Sequence, residues 1–235
     1  MIPLLLLPGM MCNARMYHHQ IAQFSNERAV QFSPLSEHSD VQSLAEQVLR
    51  HAPSEFALCG LSMGGIVAME VQRQAPLRVR GLALLDTNPL AELDQVKQVR
   101  TPQMEKVRQG RLLEVMRDEM KPNYLADNHN KAEILDLCAQ MAQELGSDVF
   151  IRQSLALRER PDQSATLRSV RVPTLILCGD QDRLCPPERH RLMHELVSHS
   201  SLAIVADAGH LPVLEQPAET NAHLQAWLQA CDYQH

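Results

Sequence analysis

The sequence predicts an α/β fold: a mostly parallel central sheet of about six strands, helices on both faces, and an inserted helical cap. Three observations predict it. Short apolar runs alternate with segments of helical period, one long central stretch carries no strand pattern, and the alternation then resumes. Strands separated by helices imply right-handed crossovers, and such crossovers imply parallel pairing.

Ile2 to Leu7 reads as a buried strand stopped by Pro8-Gly9, and Ala14 to Phe24 as a helix. Glu27 to Phe32 fits a second strand. Asp40 is placed to cap a helix through His51, because Val41, Leu44, Ala45, Val48 and Leu49 recur at helical spacing. Glu55 to Leu61 is a strand, Met63 to Gln74 a helix ending before Pro76, and Arg80 to Asp86 a strand closed by Thr87-Asn88-Pro89. From Leu90 to Ser169 the reading is helical: Leu93 to Arg108 despite Pro102, Leu112 to Met120, Lys131 to Glu144, and Asp148 to Arg158. Gly110, Pro122, Gly146 and Pro161 punctuate this block, and its balanced charges read as a solvated face. Strand pattern returns at Val172 to Cys178 and Ser201 to Val205, with helices at Pro187 to Leu196 and Pro217 to Ala230. The expected division is therefore an α/β core of residues 1–89 and 170–235, with 90–169 as the cap.

At 235 residues with 45% hydrophobic and 21% charged, the chain can bury a core of its own, which excludes general disorder. The net charge of −6 is spread without a basic stripe, so no nucleic-acid partner is expected. The Ile2–Leu7 run has no positive residue before it and is too short for a signal peptide. No stretch reaches the roughly 18 apolar residues of a membrane span. The six cysteines show no CxxC and no regular spacing, which fits free thiols in a reducing cytoplasm.

The chemistry concentrates in Cys59-Gly-Leu-Ser-Met-Gly-Gly65. A bare GxSxG is weak, and a glycine-rich turn can serve packing alone. Here it follows the apolar run Phe56–Cys59 and opens the helix Ile66–Val71, the strand–turn–helix context of a nucleophile elbow. Ser62 must sit on a strained turn with its hydroxyl above the sheet edge, so Gly60 and Gly64 face close backbone. Gly65 is expected to let the helix start tight against the strand. An activated serine needs a base and a carboxylate that orients the base. Two late loops offer them: Asp182 in Gly179-Asp-Gln-Asp-Arg-Leu-Cys-Pro-Pro187, and His210 in Ala208-Gly-His-Leu-Pro-Val-Leu-Glu-Gln-Pro217. Both follow strands, where α/β sheets place their sites.

Over essentially its whole length the sequence resembles the α/β-hydrolase superfamily, in particular small esterase-like members with a helical cap. GLSMGG resembles that family's elbow, GDQDRLCPP its acid loop and AGHLPVLEQP its histidine loop. The resemblance implies a catalytic triad of Ser62 as nucleophile, Asp182 as orienting acid and His210 as base. It also implies an oxyanion hole from the backbone N–H groups of Met10 and Met63. Pro8 stands where the family commonly has His, and the family's N-terminal hairpin is missing, hence about six strands and not eight.

The implied activity is cleavage of a small carboxylic ester through an acyl-enzyme. A lactone or C–C bond hydrolase with the same triad, or a ligand-binding receptor of the same fold, stays open. The partner expected is a small-molecule acyl substrate; no cofactor and no metal is implied, and the oligomeric state is not read. Asp86, at the end of its strand, is a rival acid. His190 and His194 stand one helical turn apart but lack HExxH, since Arg191 occupies the Glu place. Met10, Met11 and Met63 suggest an adaptable apolar acyl site. Arg152 either reaches a substrate carboxylate or lies on the surface. His18, His19, His51 and His129 read as surface or packing groups.

Overall fold

The computed structural model describes residues 1–120, 122, 124–127 and 131–233. Six strands form one all-parallel sheet: β1 (Leu4–Leu7), β2 (Val30–Phe32), β3 (Phe56–Leu61), β4 (Val79–Leu85), β5 (Thr174–Gly179) and β6 (Ser201–Val205), in the order β2-β1-β3-β4-β5-β6. The helices of the core are α1 (His18–Phe24), α2 (Val41–His51) and α3 (Met63–Gln74). Between β4 and β5 come α4 (Asp94–Arg108), α5 (Leu112–Glu114), α6 (Lys131–Arg158) and α7 (Ser164–Ser169), and after β5 come α8 (Pro187–Leu196), α9 (Pro212–Glu215) and α10 (Pro217–Tyr233).

The period of two along a strand divides the core. Leu5, Leu7, Leu58, Leu82 and Leu84 face α2 and α3, whereas Leu4, Leu6, Cys59, Leu61 and Leu177 face α1 and α10 through Phe24, Leu224 and Trp227. Central strands buried on both faces must be apolar throughout, which is why β1 reads Leu-Leu-Leu-Leu. Strand order reverses direction between β1 and β3, and Leu7 pairs with Gly60 there. That switch point opens a crevice at the carboxyl ends of the strands.

Several element ends differ from the sequence reading. Ala14–Tyr17 forms a 3₁₀ turn ahead of α1, β2 is only three residues long, and α5 continues into a π-helical stretch at Val115–Met120. The short α7, which packs against α3 and α8, and α9 in the histidine loop were not expected. Asp40 does cap α2, its side chain accepting from Ser43 N–H at 2.7 Å. α4 runs through Pro102, and α6 breaks at Gly146, at φ 80° and ψ 175°. Among the described residues, no helix is long and apolar enough to cross a membrane.

Gly146 has open space around it, so the backbone angle alone demands glycine there. Gly146→Ala should lower unfolding free energy by about 1–3 kcal/mol, read by denaturant titration. A neutral or stabilising result would mean that the break in α6 is not fixed by that residue.

Candidate active site

Ser62 joins β3 to α3 with φ 56° and ψ −115°. Its N–H donates to Leu85 O at 2.9 Å; its carbonyl accepts from Ile66 N–H at 3.1 Å and from Thr87 Oγ1 at 2.7 Å. Those bonds hold a conformation that costs about 1–3 kcal/mol for a residue with a side chain. A Cβ at Gly60 would strike the Gly64 carbonyl, and one at Gly64 would strike the Leu7 carbonyl. Gly65 has a different neighbour from the one expected: a Cβ there would meet the Thr87 side chain that holds Ser62.

The structure brings the three side chains together from three loops. His210 Nε2 lies 2.9 Å from Ser62 Oγ, and His210 Nδ1 lies 2.8 Å from Asp182 Oδ2. Asp182 Oδ1 accepts from the N–H groups of Leu184 at 2.8 Å and Cys185 at 3.0 Å. Burial pushes the Asp182 carboxyl up, but His210 and the two N–H donors outweigh it and hold it below its usual value. A carboxylate on Nδ1 fixes the tautomer: Nδ1 carries the proton and Nε2 faces Ser62 as an acceptor.

Glu215 was not singled out in the sequence, yet it organises the histidine loop. Its carboxylate accepts from Gly209 N–H at 3.0 Å, Leu211 N–H at 3.0 Å and Ala126 N–H at 2.8 Å. Burial raises its pKa, against the pull of those donors. The backbone N–H of His210 donates to the Tyr124 carbonyl, so the stretch around Tyr124, between β4 and β5, is tied to the histidine loop by this bond and by the Ala126–Glu215 bond. The sequence carries no separate signal for Glu215, because Leu211 at the N-cap rules out a capping box.

Met10 follows β1 and Met63 opens α3; neither N–H has an acceptor among the described residues. Met11, at φ 57°, donates its N–H instead to Gln153 Oε1 at 2.8 Å, and Gln153 Nε2 donates to Leu35 O at 2.8 Å. Gln153, buried on α6, thus braces the loop that carries Met10. Ser62, His210 and Met10 share a cavity of about 420 Å³, within the range of small-molecule sites. Of the three methionines expected there, only Met10 lines it; Met11 and Met63 are buried in the core, and Met120 supplies the other thioether.

Asp86 does not take the acid's place. It is fully buried at φ 45°, its Oδ1 accepts from Gly179 N–H at 3.0 Å, and Oδ2 has no partner. Burial, then the neighbouring Asp182 charge, push its pKa well above the ordinary carboxylate value. Arg152 donates to Ser36 O at 2.8 Å and does not line the cavity. His190 Nε2 accepts from Thr87 N–H at 3.1 Å and His194 Nδ1 lies 2.8 Å from Ser200 Oγ, so the pair faces different partners. His18 and His51 are exposed and His19 half-buried, while His129 lies outside the described residues. Asp182, Cys185 and His210 place three possible metal-ligand atoms within 4.8 Å of one another. Asp182 and His210 already bond each other, and burial raises the Cys185 thiol well above its usual value, which suits the set poorly to a cation.

Residues 4–223 match the model of the alpha/beta hydrolase family. A pimeloyl-[acyl-carrier protein] methyl ester esterase of Neisseria meningitidis (serogroup A) is 22% identical over 191 residues, 77% of this chain and 60% of that protein. The chain thus matches less than two thirds of that relative's length. A thermophilic esterase from Thermogutta terrifontis, solved with malate bound, superposes with TM-score 0.89 at 27% identity, covering 98% of this chain and 90% of that one. The enol-lactonase from Burkholderia xenovorans LB400 superposes with TM-score 0.86 at 17% identity, covering 97% and 92%; at that identity it speaks for the fold alone.

Two titrations follow from this geometry. Burial pushes the His190 pKa down from 6.5 to about 4. Below pH 6.5 the unfolded chain binds a proton that the fold refuses, so stability should fall by roughly 3 kcal/mol between pH 6.5 and 4 and then level. NMR of the imidazole would read it, and protonation of His190 near pH 6 would contradict it. Asp86 has the opposite sign: above the ordinary carboxylate pKa the unfolded chain releases a proton that the fold keeps, so stability is lost as pH rises. Asp86→Asn should therefore be more stable than the parent at pH 7, with the gain gone at pH 3, as measured by thermal unfolding. Equal stability at both pH values would show that Asp86 is ionised in the fold.

Proposed function

The chain belongs to the α/β-hydrolase family and is an enzyme of hydrolase type, and from that premise we propose that it cleaves a small carboxylic ester through an acyl-enzyme on Ser62. The observation that carries this is the unbroken hydrogen-bonded path from Ser62 Oγ through His210 to Asp182, at 2.9 and 2.8 Å. Its names among relatives support the ester class, since the esterases of Neisseria and Thermogutta stand among them.

In this reading Ser62 Oγ gives its proton to His210 Nε2 and attacks the ester carbonyl. The N–H groups of Met10 and Met63 receive the oxygen that gains charge, and the positive end of α3 adds to that field. Asp182 stays ionised and stabilises the imidazolium; it does not take the proton. The imidazolium then protonates the departing alcohol. A water enters, gives its proton to Nε2 and attacks the acyl carbon, and collapse returns the proton to Ser62 as the acid leaves. The lowered pKa of Asp182 matches this role, because it must be charged whenever His210 is.

Residues 90–169 act as the cap in this proposal. Leu93, Val96, Met120, Tyr124 and Leu157 from that segment line the cavity opposite Ser62, which would limit water and select the acyl group.

Ser62→Ala should keep the fold and lose ester turnover by on the order of 10⁴-fold or more, along with labelling by a fluorophosphonate. Circular dichroism and a panel of short- and long-chain nitrophenyl esters check both halves. Turnover near the parent level in that variant would sink the proposal; labelling of the parent without repeated turnover of any ester would favour a receptor.

A further inference from the structure

One wall of the cavity above Ser62 carries charge that the proton path does not use. Arg100 donates through Nε and Nη2 to Glu92 Oε2 at 2.9 and 2.7 Å. Arg160 pairs with Glu92 Oε1 through Nη2 at 2.9 Å and gives its Nε to Leu90 O at 3.0 Å. The side chains of Arg100, Arg160 and Glu92 keep only 13%, 7% and 5% of their exposure. Two enclosed cations therefore share one enclosed anion. A buried charge without full compensation is costly, so an assembly built only for stability would match them one to one. Burial lowers the Arg160 pKa; Glu92 opposes that and Arg100 adds to it.

Two more arginines, one exposed and one half-buried, reach the same cavity. Arg183 and Arg189, from the loop that carries Asp182 and from α8, line the same cavity, and neither has a carboxylate within ion-pair distance among the described residues. Glu92 is the one carboxylate lining the cavity among those residues. The same lining holds Ser62 and the apolar side chains Met10, Ile66, Leu157 and Leu211. Cations, apolar surface and a nucleophile in one cavity suit a substrate that combines an anionic group with an apolar body and a scissile ester. Guanidinium forks fit carboxylate and phosphate oxygens in two-point contact.

We infer that the substrate is an anionic ester, one that carries a carboxylate or phosphate group besides the scissile ester, held by Arg100 and Arg160 with Arg183 and Arg189 in the same cavity lining. The inference rests on the proposed role of Ser62 and adds the substrate class.

The test is calorimetry on Ser62→Ala protein, which binds without turnover, alongside kinetics of the parent. The probes are matched esters: nitrophenyl hydrogen glutarate against its methyl-capped neutral form, and a phosphate-bearing ester against its neutral alcohol. The anionic member of at least one pair should bind about tenfold tighter or more, and which pair does so separates carboxylate from phosphate. Arg160→Gln in that background should remove the preference and leave neutral-ester binding within about threefold. Glu92→Gln, which deletes the internal counter-charge and not a cation, should move anion affinity the other way. Since removal of either partner can loosen the cluster, Arg189→Ala provides a milder variant with the same expected direction. Equal binding within every pair, or a preference unchanged by these variants, overturns the anionic subsite even if neutral esters turn over. Failure of the parent to hydrolyse or be labelled by anything would instead strike the proposed role of Ser62, while the binding comparison still decides the subsite.

Discussion

The backbone of Ser62 is the constraint on which the remaining geometry depends. A serine at positive φ is disfavoured, and it persists here because surrounding groups over-determine it. Leu85, from the neighbouring strand, fixes its N–H; Thr87, one turn beyond, fixes its carbonyl; and Gly60 and Gly64 let the chain reverse inside a space that a single methyl would fill. The same clenched turn makes α3 begin directly behind the hydroxyl. Four residues other than glycine have positive φ among those described: Met11, Ser62, Asp86 and Asp207, each following a strand at its carboxyl end. Strain is thus stored along one edge of the sheet, the edge where the site lies.

Three buried carboxyl groups meet around that edge, and each is handled differently. Asp182 receives two backbone N–H groups and an imidazole, enough to overcome desolvation and leave it charged. Glu215 receives N–H groups from the histidine loop and the insertion, but burial still wins. Asp86 receives one N–H and faces the Asp182 charge, so burial and that charge together push its pKa well up. Two ionised carboxylates so close would repel, and the opposite shifts of Asp86 and Asp182 relieve that repulsion.

Much of the fold was legible because its signals are local. The boundaries of α3, α8 and β6 follow from apolar period and from Pro76, Pro187 and the flanking polar residues. The juxtaposition of Ser62, Asp182 and His210 was readable because each sits in a loop whose glycines have a steric reason, with Gly179 held against the Gly209 loop just as Gly64 is held against β1. What stayed hidden depends on tertiary contact. Gln153 and Glu215 are ordinary helix residues until the fold sets Met11 N–H before one and Gly209 N–H before the other. The sequence sets the His190–His194 spacing aside as a metal pair for want of HExxH, but it does not reveal that Thr87 N–H donates to His190, because spacing fixes a helix face and not the loop that meets it.

The segment between β4 and β5 shows the same limit in electrostatic form. Its charges nearly balance in sequence, and a balanced helix is ordinarily a solvated one. Balance along the chain says nothing about balance in space: Arg100 lies on α4, Arg160 follows α6, and Glu92 precedes both, yet all three converge on one enclosed point. Other acids of this segment pair outside the cavity lining, as Glu105 does with Arg108 and Glu119 with Lys106. The convergence of Arg100, Arg160 and Glu92 is therefore a property of the folded chain and not of its charge order. Four guanidiniums and one carboxylate in the lining of the cavity that also holds Ser62 is thus an arrangement that no reading of the chain in order shows, because the members come from four separate stretches of sequence.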